Sequence, residues 1–261
     1  MSKEENQKNN SKTTVAQTLK SRVLEFTKTI VIAGSIALII RTFLFEIFYI
    51  PTPSLVPSGL VGDYLFVSKS SYGFSQHSFP FSMKFFEGRI MDTVKPKQGD
   101  IAVFRVPHDP GTFYVKRVIG TAGDQIQMVQ GILHVNGKPV ELRQIEDYID
   151  KDRDGNVRNV AQYIETLPNG VQHKIIMSKQ FGVSKWDNTE IFEVPKGHYF
   201  MMGDNRQNSW DSRDPDHLGF IPEVFMVGKA HRIFFSTEAK LWQVWRWFTA
   251  VRYERIGMKV I

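Results

Sequence analysis

The longest apolar run in the chain is "TIVIAGSIALII", Thr29 to Ile40, followed after Arg41 by "TFLFEIFYI". A helix from about Leu24 to Phe45 would reach the roughly 20 residues that a bilayer requires. Arg41 and Glu46 fall at its outer end, where a long cationic side chain can snorkel to the headgroups. A cleaved signal peptide and a buried core helix compete with the anchor reading. Against the first, "RTFLF" stands where a small-x-small cleavage site should follow. The 12 residues from Thr29 to Ile40 are short for a span, which keeps the second open.

Beyond residue 60 the spacing changes from helical to strand-like. "GDYLFVSKSSYG", "GDIAVFRV", "TFYVKRVIG", "GDQIQMV", "GILHVNGKPVEL" and "EIFEVPKGHYFMMGD" are short runs rich in Val, Ile, Phe and Tyr, broken by Gly-Asp, Asn-Gly and Pro. Asn136-Gly137 predicts a tight hairpin. The pattern implies a mainly β protein: one N-terminal transmembrane helix, then a folded sheet or barrel-like β domain carrying a β-rich insertion. The boundaries read as a polar tail (1–23), the anchor (24–48), two parts of the β domain (49–134 and 196–239) around the insertion (135–195), and an aromatic, basic C-terminal segment (240–261).

Two stretches fit a membrane surface. "SQHSFPFSMKFFEGRI" holds Phe79, Phe81, Phe85 and Phe86; residues 240–261 interleave Trp242, Trp245, Trp247 and Phe248 with Lys240, Arg246, Arg252 and Arg255. Ordinary core packing is the alternative for both.

Composition narrows the chemistry. The tail is polar and lysine-rich, as in disordered segments. Its cations, Lys3, Lys8, Lys12, Lys20, Arg22 and Lys28 against Glu4, Glu5 and Glu25, leave the N-terminus in the cytoplasm by the positive-inside bias and the bulk of the chain outside. The net charge of +6 is spread over the 261 residues rather than clustered, so lipid headgroups account for it without nucleic acid. Cysteine is absent, which excludes disulfides and thiolate metal sites. The histidines (77, 108, 134, 173, 198, 217, 231) show no ligand spacing, and no metal or cofactor is expected. "DKDRDGNVRNVA" begins like a calcium loop with Asp152, Asp154 and Gly155 but has Ala161 where a bidentate Glu is required.

Three segments carry the candidate chemistry: "IPTPSLVPSGLVGDYLFVSK" (50–69), "GDIAVFRVPHDPGTFYVKRVIGTAGD" (99–124) and "GDNRQNSWDSRDPDHLGFIPEVFMVGKA" (203–230). In this order behind one anchor they resemble the bacterial type I signal peptidases, or leader peptidases, which remove signal peptides from exported proteins. The match runs without a gap from Gly203 to Arg213 and through Tyr114, Lys116, Arg117 and Gly120. In the first segment the family usually reads Pro-Ser/Thr-Gly-Ser-Met-x-Pro-Thr-Leu, whereas this chain has Pro-Thr-Pro-Ser-Leu-Val-Pro-Ser-Gly.

The resemblance implies Ser54 as nucleophile, eight residues before Gly62, with Ser58 at the family's threonine position. It implies Lys116 as general base, Ser209 orienting that lysine, and the Ser54 N–H with the Thr52 hydroxyl as oxyanion hole. Arg117 would pair with Asp204 and Arg213 with Asp211. Ile50, Pro51, Leu55, Tyr114 and Val115 would line pockets for small side chains, and the partners would be signal peptides and membrane lipid. The active site would face the periplasm or exterior of a bacterial inner membrane.

The chemistry is sound without the family. A serine hydroxyl needs a neighbouring base, and a lysine serves once burial disfavours its ammonium form. Phe113, Val115 and Val118 on the Lys116 strand could exclude water. Pro53, where the family has glycine, and Gly59, where it prefers leucine, motivate an alternative: a weakened homologue that binds signal peptides without efficient cleavage. A soluble, self-cleaving repressor-like Ser-Lys protease would lack both the anchor and the Gly203–Arg213 pattern.

Overall fold

The computed structural model describes residues 2–78, 88–91, 94–151, 157–177, 182, 184–239 and 243–261. The phenylalanine cluster 79–86, the Asp152–Gly155 loop, Lys240 and Trp242 lie outside them. The chain forms two compact units, Met1–Leu44 and Phe45–Ile261.

The first unit is one helix, α1 (Ser2–Phe43). The polar stretch expected to be disordered continues this helix, because no glycine or proline precedes Gly34 and its Lys, Glu and Gln residues are good helix formers. Arg22–Arg41 is long and apolar enough to cross a membrane, with mean hydropathy 1.9, and none of it is buried. The anchor was expected to run to residue 48. Instead the helix stops at Phe43 and Phe45–Tyr49 is a strand, since the alternating "FEIFY" can pair along a sheet.

The second unit is mainly β, and its strands follow chain order: β1 (Phe45–Tyr49), β2 (Asp63–Ser68), β3 (Phe74–Ser75), β4 (Arg89–Ile90), β5 (Ile101–Val106), β6 (Asp109–Gly120), β7 (Gln125–Val129), β8 (Ile132–Val135), β9 (Lys138–Pro139), β10 (Glu141–Lys151), β11 (Val157–Thr166), β12 (Gln172–Met177), β13 (Phe192–Glu193), β14 (His198–Met202), β15 (Ile221–Pro222) and β16 (Met226–Ser236). A seven-stranded sheet runs β1-β2-β16-β5-β6-β14-β15. The smaller sheets are β13-β7-β8-β9, β10-β11-β12 and the pair β3-β4. The hairpin at Asn136-Gly137 joins β8 to β9, with both residues at positive φ. The sheet β13-β7-β8-β9 begins at β7, some ten residues before the expected insertion.

Leu65 and Val67 of β2 pack with Ile101, Val103, Val227 and Ile233 in one apolar core, which also receives Ile50 and Leu55 from the turn after β1. A second core gathers Phe104, Val118, Met201 and Met226. β6 is shared between β5 and β14, with Ala102 opposite Lys116 and Met202 opposite Arg117. These pairings set the candidate base and the start of the Gly203–Arg213 loop on neighbouring strands.

Candidate active site

Residues 50–63 form a closed turn. Ile50 N–H donates to the Asp63 carbonyl at 2.8 Å, and Gly62 N–H to that of Ile50 at 3.0 Å. Thr52 is extended, as the residue before a proline must be, and Pro53 opens a short 3-10 turn, Pro53–Leu55. Proline at a first helical position lacks a donor that would have no partner anyway. The geometry therefore gives the weakened-homologue reading no support.

Leu55 anchors this turn in the core while Ser54 remains half-buried beside it. A Cβ at Gly59 would lie 2.7 Å from Ile50 Cδ1 and 3.0 Å from Leu55 Cδ2. The apolar wall beside this glycine is supplied by Ile50 and Leu55, whose side-chain ends would have to shift to admit a larger residue.

Asp63 closes the turn from below. It is fully buried, accepts from Leu60 N–H at 2.8 Å and Ser236 Oγ at 2.6 Å, and pairs with Arg255 Nη2 at 2.6 Å. Arg252 adds a bond to the Val61 carbonyl at 2.7 Å. Both arginines were expected among lipid headgroups; they serve the fold instead, because a buried carboxylate requires cationic partners.

Lys116 on β6 is 4% exposed, and its Nζ donates to Ser209 Oγ at 2.9 Å. Burial, assisted by Arg213, lowers its pKa to about 8, against the opposing pull of Asp211 and Asp204. Ser54 Oγ lies 3.4 Å from Thr52 Oγ1. Ser54, Lys116 and Ser209 line one cleft of about 540 Å³ with Ile50, Pro51, Leu55, Tyr114 and Val115.

The loop after β14 brings these groups together. Asn205 N–H donates to the Ser54 carbonyl at 3.1 Å, and its side-chain amide to the Pro53 carbonyl at 3.2 Å. Asp211 accepts from Gly203 N–H at 3.1 Å and from Arg213 at 2.8 and 2.9 Å. Arg117 grips Asp204 in a fork at 2.8 and 2.7 Å and reaches Ser58 Oγ at 3.2 Å. Burial alone would raise the pKa of either aspartate, but the adjacent arginines, Arg117 for Asp204 and Arg213 for Asp211, hold both below the ordinary range. These carboxylates are bound as anions rather than poised for acid–base work.

Gly203 has no room for a side chain. A Cβ there would stand 2.3 Å from Ser209 Oγ and 2.4 Å from the Ser54 carbonyl oxygen. Gly203→Ala must push the Ser54 turn away from Ser209, and a displacement of about 1 Å between reacting groups costs about 100-fold in rate. Assayed against preprotein with folding checked by circular dichroism, the variant should lose activity on that scale. Unchanged turnover would show that this contact does not position the site.

Sequence reasoning overlooked a second buried layer. Glu165 of β11 and His173 of β12 are cross-strand partners. Glu165 receives a two-pronged contact from Arg206, with Nη1 to Oε1 at 2.7 Å, and His173 Nε2 lies 3.2 Å from Glu165 Oε2. Burial favours the neutral acid, but Arg206 and His173 outweigh it and hold Glu165 well below the usual carboxylate range. Burial, then Arg117, lowers the His173 pKa. Backbone bonds Ile176 N–H to Asp204 O and Arg206 N–H to Ile176 O join β12 to the loop at 3.0 and 3.1 Å. The Pro168-Asn169-Gly170 turn was the available signal, since it sets Glu165 opposite His173.

The turn at Ser54, the buried Lys116 and the loop that joins them line one cleft, and the chain matches the family described as "Signal peptidase, peptidase S26" over residues 23–235. The protein belongs to that family of serine peptidases and cleaves signal peptides. Signal peptidase I of Rickettsia typhi is 36% identical over 265 residues, spanning 95% of this chain and 96% of that protein. The Rickettsia canadensis enzyme is 38% identical, over 85% and 87%. Among solved structures, a signal peptidase I from Enterococcus faecalis V583 is 27% identical and covers 52% of this chain and 96% of its own, with a TM-score of 0.31.

Proposed function

We propose that this chain is a membrane-anchored endopeptidase that releases signal peptides from exported preproteins with Ser54 as nucleophile and Lys116 as general base. The observation that carries the reading is the buried amine of Lys116, lowered to a pKa of about 8 and oriented by Ser209 in the cleft that also holds Ser54. Ser54 Oγ attacks the scissile carbonyl as its proton passes to Lys116 Nζ. The oxyanion is met by the Ser54 N–H, which has no acceptor within its short turn, and by the Thr52 hydroxyl. Lys116 then protonates the departing amine, deprotonates the water that attacks the acyl-enzyme, and returns the proton to Ser54. Ile50, Pro51, Leu55, Tyr114 and Val115 form the small-residue pockets.

Arg22–Arg41 spans the inner membrane, with the N-terminus cytoplasmic and the β unit outside the cell or in the periplasm. Exposed Trp245, Tyr253 and Met258 suit the lipid headgroup layer.

The test is cleavage of a preprotein by the purified protein in detergent across pH. The neutral amine is the active form, so its fraction, and with it kcat/KM, rises as pH climbs through about 8. A flat profile between about pH 5 and about pH 10 rules out a lysine base.

A further inference from the structure

Trp210 has no part in the chemistry above, yet it follows Ser209 directly. Ser209 and Asp211 are buried at 3% and 1%, while Trp210 between them is 64% exposed and lines the cleft. Its ring is held in place. The His217 imidazole meets the indole edge-to-face with ring centroids 4.4 Å apart. His217 Nε2 lies 3.3 Å from Tyr114 Oη, and Tyr114 is itself a cleft residue. A tight turn supports His217, with Leu218 and Gly219 N–H groups donating to the Asp214 carbonyl at 2.9 and 3.0 Å.

An oriented indole facing open space inside a substrate cleft is apolar area that stabilises only when something covers it. Alanine-sized pockets leave it uncovered. The cleft of about 540 Å³ also reaches Phe113 and Trp186, more aromatic surface than a small side chain can contact. What enters this cleft in the catalytic reading is the preprotein backbone, so its neighbouring side chains are the groups brought against the indole.

We infer that Trp210, propped by His217, is a specificity-determining residue that receives one bulky apolar side chain of the preprotein, aromatic or large aliphatic, near the scissile bond. This assignment rests on the Ser54–Lys116 reading. It adds a large-residue subsite to the small-residue pockets, and His217 acts as a positioning residue through the indole.

The experiment uses the full chain in detergent and peptides that differ only by alanine or phenylalanine at each position from three before to two after the bond. At one position the wild type should favour phenylalanine about tenfold in kcat/KM, the scale of one well-buried side chain. Trp210→Ala should erase that preference, Trp210→Phe should keep part of it, and His217→Ala should weaken it. A wild type with no preference at any position overturns the subsite, as does a Trp210→Ala variant slowed equally on every peptide. Selectivity intact in Trp210→Ala, with weaker binding to anionic phospholipid vesicles, overturns it in favour of a lipid contact. If the wild type cleaves no peptide and no preprotein, the catalytic reading fails first and takes the subsite with it.

Discussion

Lys116→Met should lower kcat against a preprotein by about three to four orders of magnitude with the fold intact, the scale on which a unit of nucleophile and base fails. Methionine keeps the length and apolar stem of lysine, so the buried strand position stays filled while the amine that contacts Ser209 is lost. Lys116→Arg should be as inactive, because a guanidinium does not deprotonate in the working range. Ser54→Ala should match Lys116→Met, and the double variant should be little worse than either, since two groups in one proton transfer do not contribute additively. Ser58→Ala is the control for register: it removes an acceptor for Arg117 and a hydroxyl that bonds Asp204, each worth about 1 kcal/mol. Single-turnover assays with purified variants decide the matter. Full cleavage by Ser54→Ala, or a dead Ser58→Ala beside an active Ser54→Ala, would overturn the assignment.

The largest stability effect is expected at Glu165. Its carboxylate and the Arg206 guanidinium are both almost wholly buried, so Glu165→Ala leaves a cation without its partner and should cost about 3–5 kcal/mol. In a domain of this size that lowers Tm by about 6–20 °C. Replacing both residues by methionine should cost much less, because neither charge then remains to be solvated. Thermal unfolding of the two variants beside wild type checks this; equal losses in both would mean that shape rather than charge governs the site. The pH response has a definite sign. Glu165, Asp204 and Asp211 all have folded-state pKa values below their ordinary ones, so their stabilisation is complete above the unfolded carboxylate range, about pH 4, and declines as pH falls through the folded values.

Much of this architecture was legible in local spacing. "GDIAVFRV" and "TFYVKRVIG" alternate or cluster as strands do, and they form the adjacent β5 and β6. Ser54, Lys116 and Ser209 were singled out by their motifs, and the fold brings all three to one cleft. Glu165 and His173 were not found, because buried charge has no local signature and their meaning depends on pairing with a loop some forty residues away. Arg252 and Arg255 were misplaced for a related reason. Beside tryptophans they look amphipathic, and only the tertiary fold reveals that Asp63, noticed merely as half of a Gly-Asp marker, draws them inward. Trp210 sat inside a matched motif, where its exposure could not be read. Pro53 appeared disruptive until the chain was seen to enter a turn at that residue.

The bond between Asp63 and its arginines has a further consequence for the order in which this protein is made. Arg252 and Arg255 lie 189 and 192 residues downstream of the aspartate they satisfy. During synthesis the serine emerges early and its last clamps emerge late, and contacts between such distant residues form slowly. Until they form, Asp63 is left without its cationic partners and the turn bearing Ser54 is not locked. The pocket that holds Ser54 therefore takes its final shape only after residues 252–255 have docked.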